Sequence, residues 1–527
     1  YISERGIREL GKLCTTLTEL CELNLASNGL LNEDAKLLCD ALEPASLKRL
    51  DLRHNSIGAD GCTNLSKCLG NCSTLQALNM QNNPMAQTGV ESITLALLQR
   101  KPEKLTILNL NEVGMQAAGA VAFAQVGELA ALREIHISKN KIGKKGLEAL
   151  VSAFASWKSL QLLDLSRNEL GPDSAKLLGG VLLGCRNLSN VYLRGNMLGD
   201  AGVEMIAATC GSHDQLSCLD MRSNEISAWG RAKIFGWIAL CCNVKDMYLS
   251  HNHELRAAER QVFQHNFPEV PHLQELALED CGLSQGYMDS FIKTTTRFQN
   301  LTCLNIGGNP VCGEHVQTLA NGLAECTSLC ELGLHRLKYG GNGMRDLAAK
   351  LMQLTRLTRL NLAGNHIGTA GSKHLARVLG ACTDVGELDI SDNNFNHRAV
   401  STLFEDLHKR TRLKELNLCN NPLKDEGIRQ LAPLLAPSSS LSSLNLTMCK
   451  VGDAGAQVLV AELRRCCALC TLDLSFNSIT SPGIVALAPQ LSALSRLTCL
   501  HLTGNDVGDE GDSALLEHAP KQLKLCV

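Results

Sequence analysis

The feature that most constrains this chain is a period. The stretch LDLRHNSIG (Leu50 to Gly58) alternates apolar and polar residues, reaches an Asn, then an apolar residue, then a Gly. The same outline returns as LDLSRNELG (Leu163 to Gly171), LNLAGNHIG (Leu360 to Gly368) and LDLSFNSI (Leu472 to Ile479). With the Asn as origin, eighteen copies centre on Asn28, Asn55, Asn83, Val113, Asn140, Asn168, Asn196, Asn224, Asn252, Cys281, Asn309, Leu337, Asn365, Asn393, Asn421, Cys449, Asn477 and Asn505. Thirteen of the seventeen intervals are 28 residues, so the chain must build one small unit many times over and stack the copies.

Elementary geometry explains the fixed letters. Alternate residues of a strand face opposite sides, so Leu50 and Leu52 point inward while Asp51 and Arg53 point outward. The Asn falls where the strand turns. Its amide carries two donor hydrogens and an acceptor, enough to satisfy backbone groups that the turn leaves unpaired. Cys281 and Cys449 can do this only weakly, and Val113 and Leu337 not at all, so irregular backbone is expected at those two centres. Ten residues after every centre stands an apolar residue (Leu38, Leu65, Ile93, Phe123, Leu150 and onward to Leu515). Fourteen residues after it there is usually another, as at Leu42, Leu69, Leu97 and Leu182. A spacing of four puts both on one helical face. Each repeat therefore reads as a short strand, a turn and a helix, unable to bury its apolar side without its neighbours.

The outline L-x-x-L-x-L-x-x-N/C-x-L at a 28-residue period resembles the ribonuclease-inhibitor type of leucine-rich repeat, also found in NOD-like receptors and in the Ran GTPase-activating protein. The resemblance covers almost the whole chain. It implies an α/β solenoid, horseshoe or superhelix, with a parallel β-sheet on the concave face and α-helices on the convex face. A single repeat domain is expected over 1–527. Residues 1–16 read as a partial N-terminal repeat helix, and 509–527 as a terminal helix followed by the start of a further strand.

Composition narrows the partners. Fifty basic against 53 acidic residues give a net charge of -3, which provides no electrostatic case for nucleic acid or an anionic membrane. No apolar run approaches the ~20 residues of a membrane-spanning helix. The chain opens on Tyr1 rather than Met, without a secretory signal, and has no long polar cap at either end, so it reads as a processed or trimmed product, or as a section of something larger. Six of the 24 cysteines (Cys72, Cys185, Cys241, Cys326, Cys382 and Cys466) stand eleven residues before a centre, where small buried hydrophobes are expected. That placement suggests reduced thiols and an intracellular compartment, cytoplasmic first, flagellar or organellar as alternatives.

Chemical motifs are weak. Cys467 and Cys470 form a lone C-x-x-C, read as packing because no second ligand pair accompanies it. HNHELRAAER does not complete H-E-x-x-H, because Ala257 stands where the second His would be. No P-loop, dinucleotide fingerprint or G-x-S-x-G is present. No catalytic, cofactor or metal residue is assigned.

The outward strand positions vary from repeat to repeat, and the core leaves them free for recognition. Repeat two presents Arg49, Asp51, Arg53 and His54. Repeats five to eight place Lys139, Arg167, Arg194 and Arg222 near the strand ends. Repeats ten and fourteen are acidic, with Glu275, Glu279 and Asp280, and with Glu387, Asp389 and Asp392. Aromatics make up 3% of the chain, so the placement of Tyr192 and Tyr248 in one outward column, with Asp220 between them, stands out. Arg194 and Arg222 flank the pair and Asp246 adjoins it. Tyr and Arg are the types enriched at binding hot spots, so Tyr192, Arg194, Asp220, Arg222, Asp246 and Tyr248 form the candidate protein-binding patch. Trp229 and Trp237 lie off the core phases and are read as filling a local packing gap. Repeats nine and ten depart most from the pattern: Asn266 and Thr295 replace the second helical apolar residue, and Pro268 and Pro271 end the repeat-nine helix near Phe267.

A long repeat stack with variable outward residues points to a non-enzymatic protein–protein interaction scaffold, expected as a subunit of a larger cytoskeletal, flagellar or organellar assembly. The alternatives are a NOD-like receptor sensor region, a GTPase-activating protein, or a ribonuclease inhibitor. A mixed-charge outward face argues against the last, and the tail GDEGDSALLEHAPKQLKLCV, which is only mildly acidic, argues against the second.

Overall fold

The computed structural model describes all residues except 1, 3, 18, 42–46, 71, 101–103, 128, 253–269, 284–299, 310, 312–314, 406–411, 436–439, 465, 467, 521 and 527. Contacts divide the chain into two units, residues 1–255 and 256–527. In the first, nine strands of three residues run from Glu22–Asn24 to Asp246–Tyr248, each paired in parallel with the next. The second holds ten such strands, from Glu275–Ala277 to Lys524–Cys526. In both, helices return the chain from strand to strand, as from Gly143–Ser156 in the first and Gly368–Ala381 in the second. This is the α/β leucine-rich repeat solenoid that the period implies.

Register places apolar residue on apolar residue: Leu23 pairs with Leu50, Leu50 with Leu78, Leu332 with Leu360. Ten residues past the centre, Leu38, Leu65, Ile93, Phe123, Leu150 and Leu515 are all buried against neighbouring helices. The strands are short because the residue before every centre takes a left-handed φ between 48° and 76°, from Ser27 to Gly504. Fourteen of these eighteen residues carry a side chain, and each such conformation costs on the order of 1 kcal/mol or more. Something must hold them.

The centre asparagines do so, as a ladder. The backbone N–H of Asn140 donates to the Asn168 side-chain oxygen at 3.0 Å, Asn168 to Asn196 at 2.9 Å, Asn196 to Asn224 at 2.9 Å and Asn224 to Asn252 at 2.8 Å. The Asn168 amide nitrogen donates to the carbonyls of Leu165 in its own strand and Ile137 in the preceding one, both at 2.9 Å. In the second unit the Asn365 N–H donates to Asn393, and that of Asn393 to Asn421. Asn28, Asn477 and Asn505 are half-buried. The other eleven (Asn55, Asn83, Asn140, Asn168, Asn196, Asn224, Asn252, Asn309, Asn365, Asn393 and Asn421) are buried.

The irregularity expected at Val113 and Leu337 lies elsewhere. Both centres keep the left-handed residue before them, and their N–H groups donate to Asn140 and Asn365 as an asparagine's would. The deficit falls one repeat upstream, because each side-chain oxygen serves the preceding repeat. In most repeats whose next centre is Asn, the N–H two residues past a centre donates across, as Ile57 does to Asn83. Val113 offers no oxygen, and the Met85 N–H turns back to its own Asn83 carbonyl at 2.8 Å. Leu423 likewise donates to the Asn421 carbonyl at 2.7 Å, upstream of Cys449. The residues bridged are Pro84 and Pro422, and the fixed φ of proline suits a three-residue turn of this kind. Cys449 meanwhile donates its thiol to the Leu418 carbonyl at 3.2 Å, in place of an amide.

Eleven residues before the centres, the six cysteines are buried as expected, and several cap the preceding helix. Cys185 donates to the Phe154 carbonyl at 3.3 Å and Cys382 to those of Leu351 and Leu354 at 3.4 Å. Trp157 holds the same phase, its indole N–H donating to Gly127. So does His213, fully buried, with Nε2 3.3 Å from the Cys185 carbonyl. Of the two off-phase tryptophans, Trp237 is buried and donates to the Gly211 carbonyl at 2.7 Å, and Trp229 is half-buried beneath the Lys233 ammonium. The stretch HNHELRAAER beyond Asn252, Cys467 of the C-x-x-C, Asn266, Phe267, Pro268 and Thr295 lie outside the described residues.

Two measurements check this account. Asn168→Ala leaves the buried Asn140 N–H without its acceptor, and should lower the unfolding free energy in urea by about 1–3 kcal/mol; an unchanged midpoint would remove the ladder from the stability argument. Burial lowers the His213 pKa below its ordinary 6.5. The unfolded chain then takes up a proton first as pH falls, so this contribution to stability is complete above pH 6.5 and is lost as pH drops toward the folded value. His213→Gln should flatten the decline of Tm below that pH relative to the parent chain.

Candidate functional site

Parallel pairing brings three candidate residues into one row. Tyr192 lies opposite Asp220, and Asp220 opposite Tyr248, on the strands Asn190–Tyr192, Cys218–Asp220 and Asp246–Tyr248. Asp246 sits at the other end of its strand, in register with Cys218. Arg194 and Arg222 follow two residues after Tyr192 and Asp220, where the strands run into the ladder.

The outward positions are less free than the alternation suggests. In twelve repeats the middle outward residue is Asn or Asp, and its side-chain oxygen accepts the N–H two residues on: Asn24, Asp51, Asn79, Asn109, Asp164, Asp220, Asn305, Asn361, Asn417, Asn445, Asp389 and Asp473. This column therefore helps shape the turn. His136, Tyr192, Tyr248, Ala277, Gly333 and His501 depart from it; after His136 the Ser138 N–H is taken instead by Asn111 of the preceding repeat, at 2.6 Å.

Asp220 is a structural member of this column. It is 2% exposed and accepts the Arg222 backbone N–H at 3.0 Å. The Arg222 guanidinium closes on it as a fork, Nε at 2.9 and 3.0 Å and Nη2 at 2.5 Å. Those bonds hold the Arg222 pKa above its usual value. The same guanidinium lies over the Tyr248 ring, 5.1 Å from its centroid. Asp220, Arg222 and Tyr248 are thus one preassembled unit, with the carboxylate hidden beneath.

Arg194 is placed differently. Its Nε is buried with no hydrogen-bond partner, and neither Arg194 nor Arg167 has a salt bridge among the described residues. Burial, then the charges of Arg222 and Arg167, lower its pKa. Two other cations of this sheet are matched: Lys139 meets Glu112 at 2.9 Å, and Arg49 meets Glu22 at 3.2 Å. The face of the first unit accordingly carries two uncompensated guanidiniums beside two half-buried tyrosines.

The second unit has the opposite character. A depression of about 490 Å³ on its sheet is lined by Glu331, Glu387, Asp389 and Glu415 against one arginine, Arg359, which bridges Glu331 at 2.9 Å and Glu387 at 2.8 Å. The lining residue His335 meets Glu279 at 2.9 Å, and a side chain at Gly307 would overlap its ring.

Comparison with known proteins agrees with this architecture. A family model described as Leucine Rich repeat matches residues 44–66, 71–93, 131–151, 158–179, 353–376, 438–460, 465–488 and 495–516. The chain is 33% identical over 173 residues to the ribonuclease inhibitor of Mus musculus, covering 31% of this chain and 37% of that protein. It is 30% identical over 156 residues to the ribonuclease inhibitor of Sus scrofa, covering 29% and 34%. It is 29% identical over 173 residues to NACHT, LRR and PYD domains-containing protein 13 of Homo sapiens, covering 31% and 16%. The match thus spans about a third of the inhibitors' length and a sixth of the NACHT, LRR and PYD domains-containing protein's. The chain is built of leucine-rich repeats similar to those of the ribonuclease inhibitors and of NACHT-containing proteins. No described helix is long and apolar enough to cross a membrane.

Removing Arg222 should harm the fold more than removing Arg194, since only the former strands a buried carboxylate. Arg222→Leu should lower Tm clearly while Arg194→Leu leaves it within error or raises it; equal losses by differential scanning fluorimetry would contradict the assignment.

Proposed function

We propose that this chain is a non-enzymatic scaffold for protein partners and serves as a subunit of a larger assembly. The observation that carries the reading is the unmatched Arg167–Arg194 pair beside Tyr192 and Tyr248. A guanidinium whose Nε is already buried has lost water without gaining a partner, and an incoming carboxylate would make good that loss with two parallel bonds. The tyrosines supply rigid contact area beside it. With Asp220 covered, contact passes to Tyr192, Arg194, Tyr248 and the outer edge of Arg222, with Asp246 at the far strand ends. The fitting partner is an acidic protein surface. Nucleic acid fits less well, because the cations of this face are few and mostly paired. The reduced, buried thiols support an intracellular, cytoplasmic setting, and no cofactor enters the reading.

A second reading rests on the acidic depression of the second unit. Two relatives are by name ribonuclease inhibitors, and a row holding Glu387, Asp389 and Glu415 would suit a basic protein such as a nuclease.

Purification from the native source under mild salt, with size-exclusion and mass spectrometry of what co-elutes, tests the first reading. A defined complex lost on Arg167→Glu plus Arg194→Glu but kept on Glu387→Lys plus Glu415→Lys is the expected result. Elution as a lone monomer would sink the assembly reading. Inhibition of a basic ribonuclease, abolished by the second pair of substitutions, would favour the second.

A further inference from the structure

The last two strands of the second unit carry a cluster of soft ligands. Cys499 and His501 are two residues apart on the strand Cys499–His501, so both point to the same side of the sheet. The parallel register sets Cys526 of the strand Lys524–Cys526 directly beside His501. The Cys499 Sγ lies 3.1 Å from His501 Nε2, and the three donor atoms fall within 4.8 Å of one another. Tetrahedral zinc at its usual bond lengths holds sulfur and nitrogen ligands about 3.6–3.8 Å apart, within the range this cluster spans. All three residues are half-buried, enough to be held and open enough for an ion to enter.

A second observation concerns the column. The repeats before this one put Asn417, Asn445 and Asp473 at the middle outward position, each capping the N–H two residues on. His501 and Cys526 occupy the same column and break that usage. The Asp473 carboxylate lies in the preceding strand, in register with His501, and adds negative charge on that side. Lys524 stands across from Cys499 in the same register.

We propose that Cys499, His501 and Cys526 bind a thiophilic divalent cation, zinc by ligand chemistry, with water in the fourth position, and that the ion staples these two strands together. Binding displaces the thiol protons to solvent; no electrons move. The two strands pair over three residues, and a coordinated ion adds a side-chain crosslink between them.

The test uses the full chain, stripped with a chelator and reduced. Zinc is titrated against a chromophoric competitor, and Co(II) is added separately to read the visible bands of tetrahedral thiolate coordination. One equivalent should bind, the cobalt bands should appear, and zinc should raise Tm. His501→Asn installs the residue that other repeats use in this column, so the sheet should survive. It should nevertheless weaken zinc binding by at least about tenfold and abolish the zinc-dependent rise in Tm. Cys526→Ser should do the same, and Cys419→Ser, elsewhere on the sheet, should not. No bound equivalent in the parent chain, or affinity unchanged in His501→Asn with its circular dichroism intact, would overturn the proposal.

Discussion

The fold depends on the asparagine ladder. A leucine stack alone would gather apolar side chains without fixing how tightly the chain turns after each strand. The turn requires a left-handed residue before every centre and leaves several N–H and C=O groups pointing into the interior. A single amide, donating to two carbonyls and accepting from the preceding repeat, answers both demands. The bonds run between repeats, so they set the pitch as well as the turn. That is why the period barely drifts across the chain while the intervening letters do.

The same economy reaches the outward face. The middle column, which alternation would leave to the solvent, is largely given to side chains that finish the turn. On the proposed reading, recognition falls to the positions that depart from it, and these are few. In the first unit they are tyrosines set beside arginines. In the second they include Gly333, and Gly307 nearby leaves room for the His335 ring beside Glu279, within a surface rich in carboxylates. A partner would read the exceptions in an otherwise repetitive surface, and the two units would present it with different charge.

Much of this was legible in the sequence, and for a definite reason. The strand leucines, the turn asparagines and the helical leucines each recur at a fixed phase, and phase is what a one-dimensional string preserves. The register followed too: once strands are parallel and in sequence, Tyr192, Asp220 and Tyr248 must share a row. What did not follow is how neighbouring side chains divide their bonds. Asp220 reads as an exposed acid until Arg222 is seen to cover it. Val113 reads as a local fault until the amide is seen to serve the repeat before it. His213 gives no local signal, although its phase, shared with six cysteines, was there to be read. The Cys499–His501–Cys526 group escapes a motif search because its third member is 25 residues from the second and joins them only through strand pairing.

The proline turns at Pro84 and Pro422 have a consequence for how such a chain can change. Three of the four centres that lack asparagine, Val113, Leu337 and Cys449, follow a repeat with the dipeptide Asn-Pro at its own centre: Asn83-Pro84, Asn309-Pro310 and Asn421-Pro422. The proline lets one repeat close its turn without help from the next. A centre and the residue after the preceding centre are therefore expected to covary among homologues, at a distance of one repeat. The heritable unit would then be a junction between two repeats rather than a repeat. A duplication or deletion that cuts one of these pairs would leave a proline with no purpose, or an N–H with no acceptor.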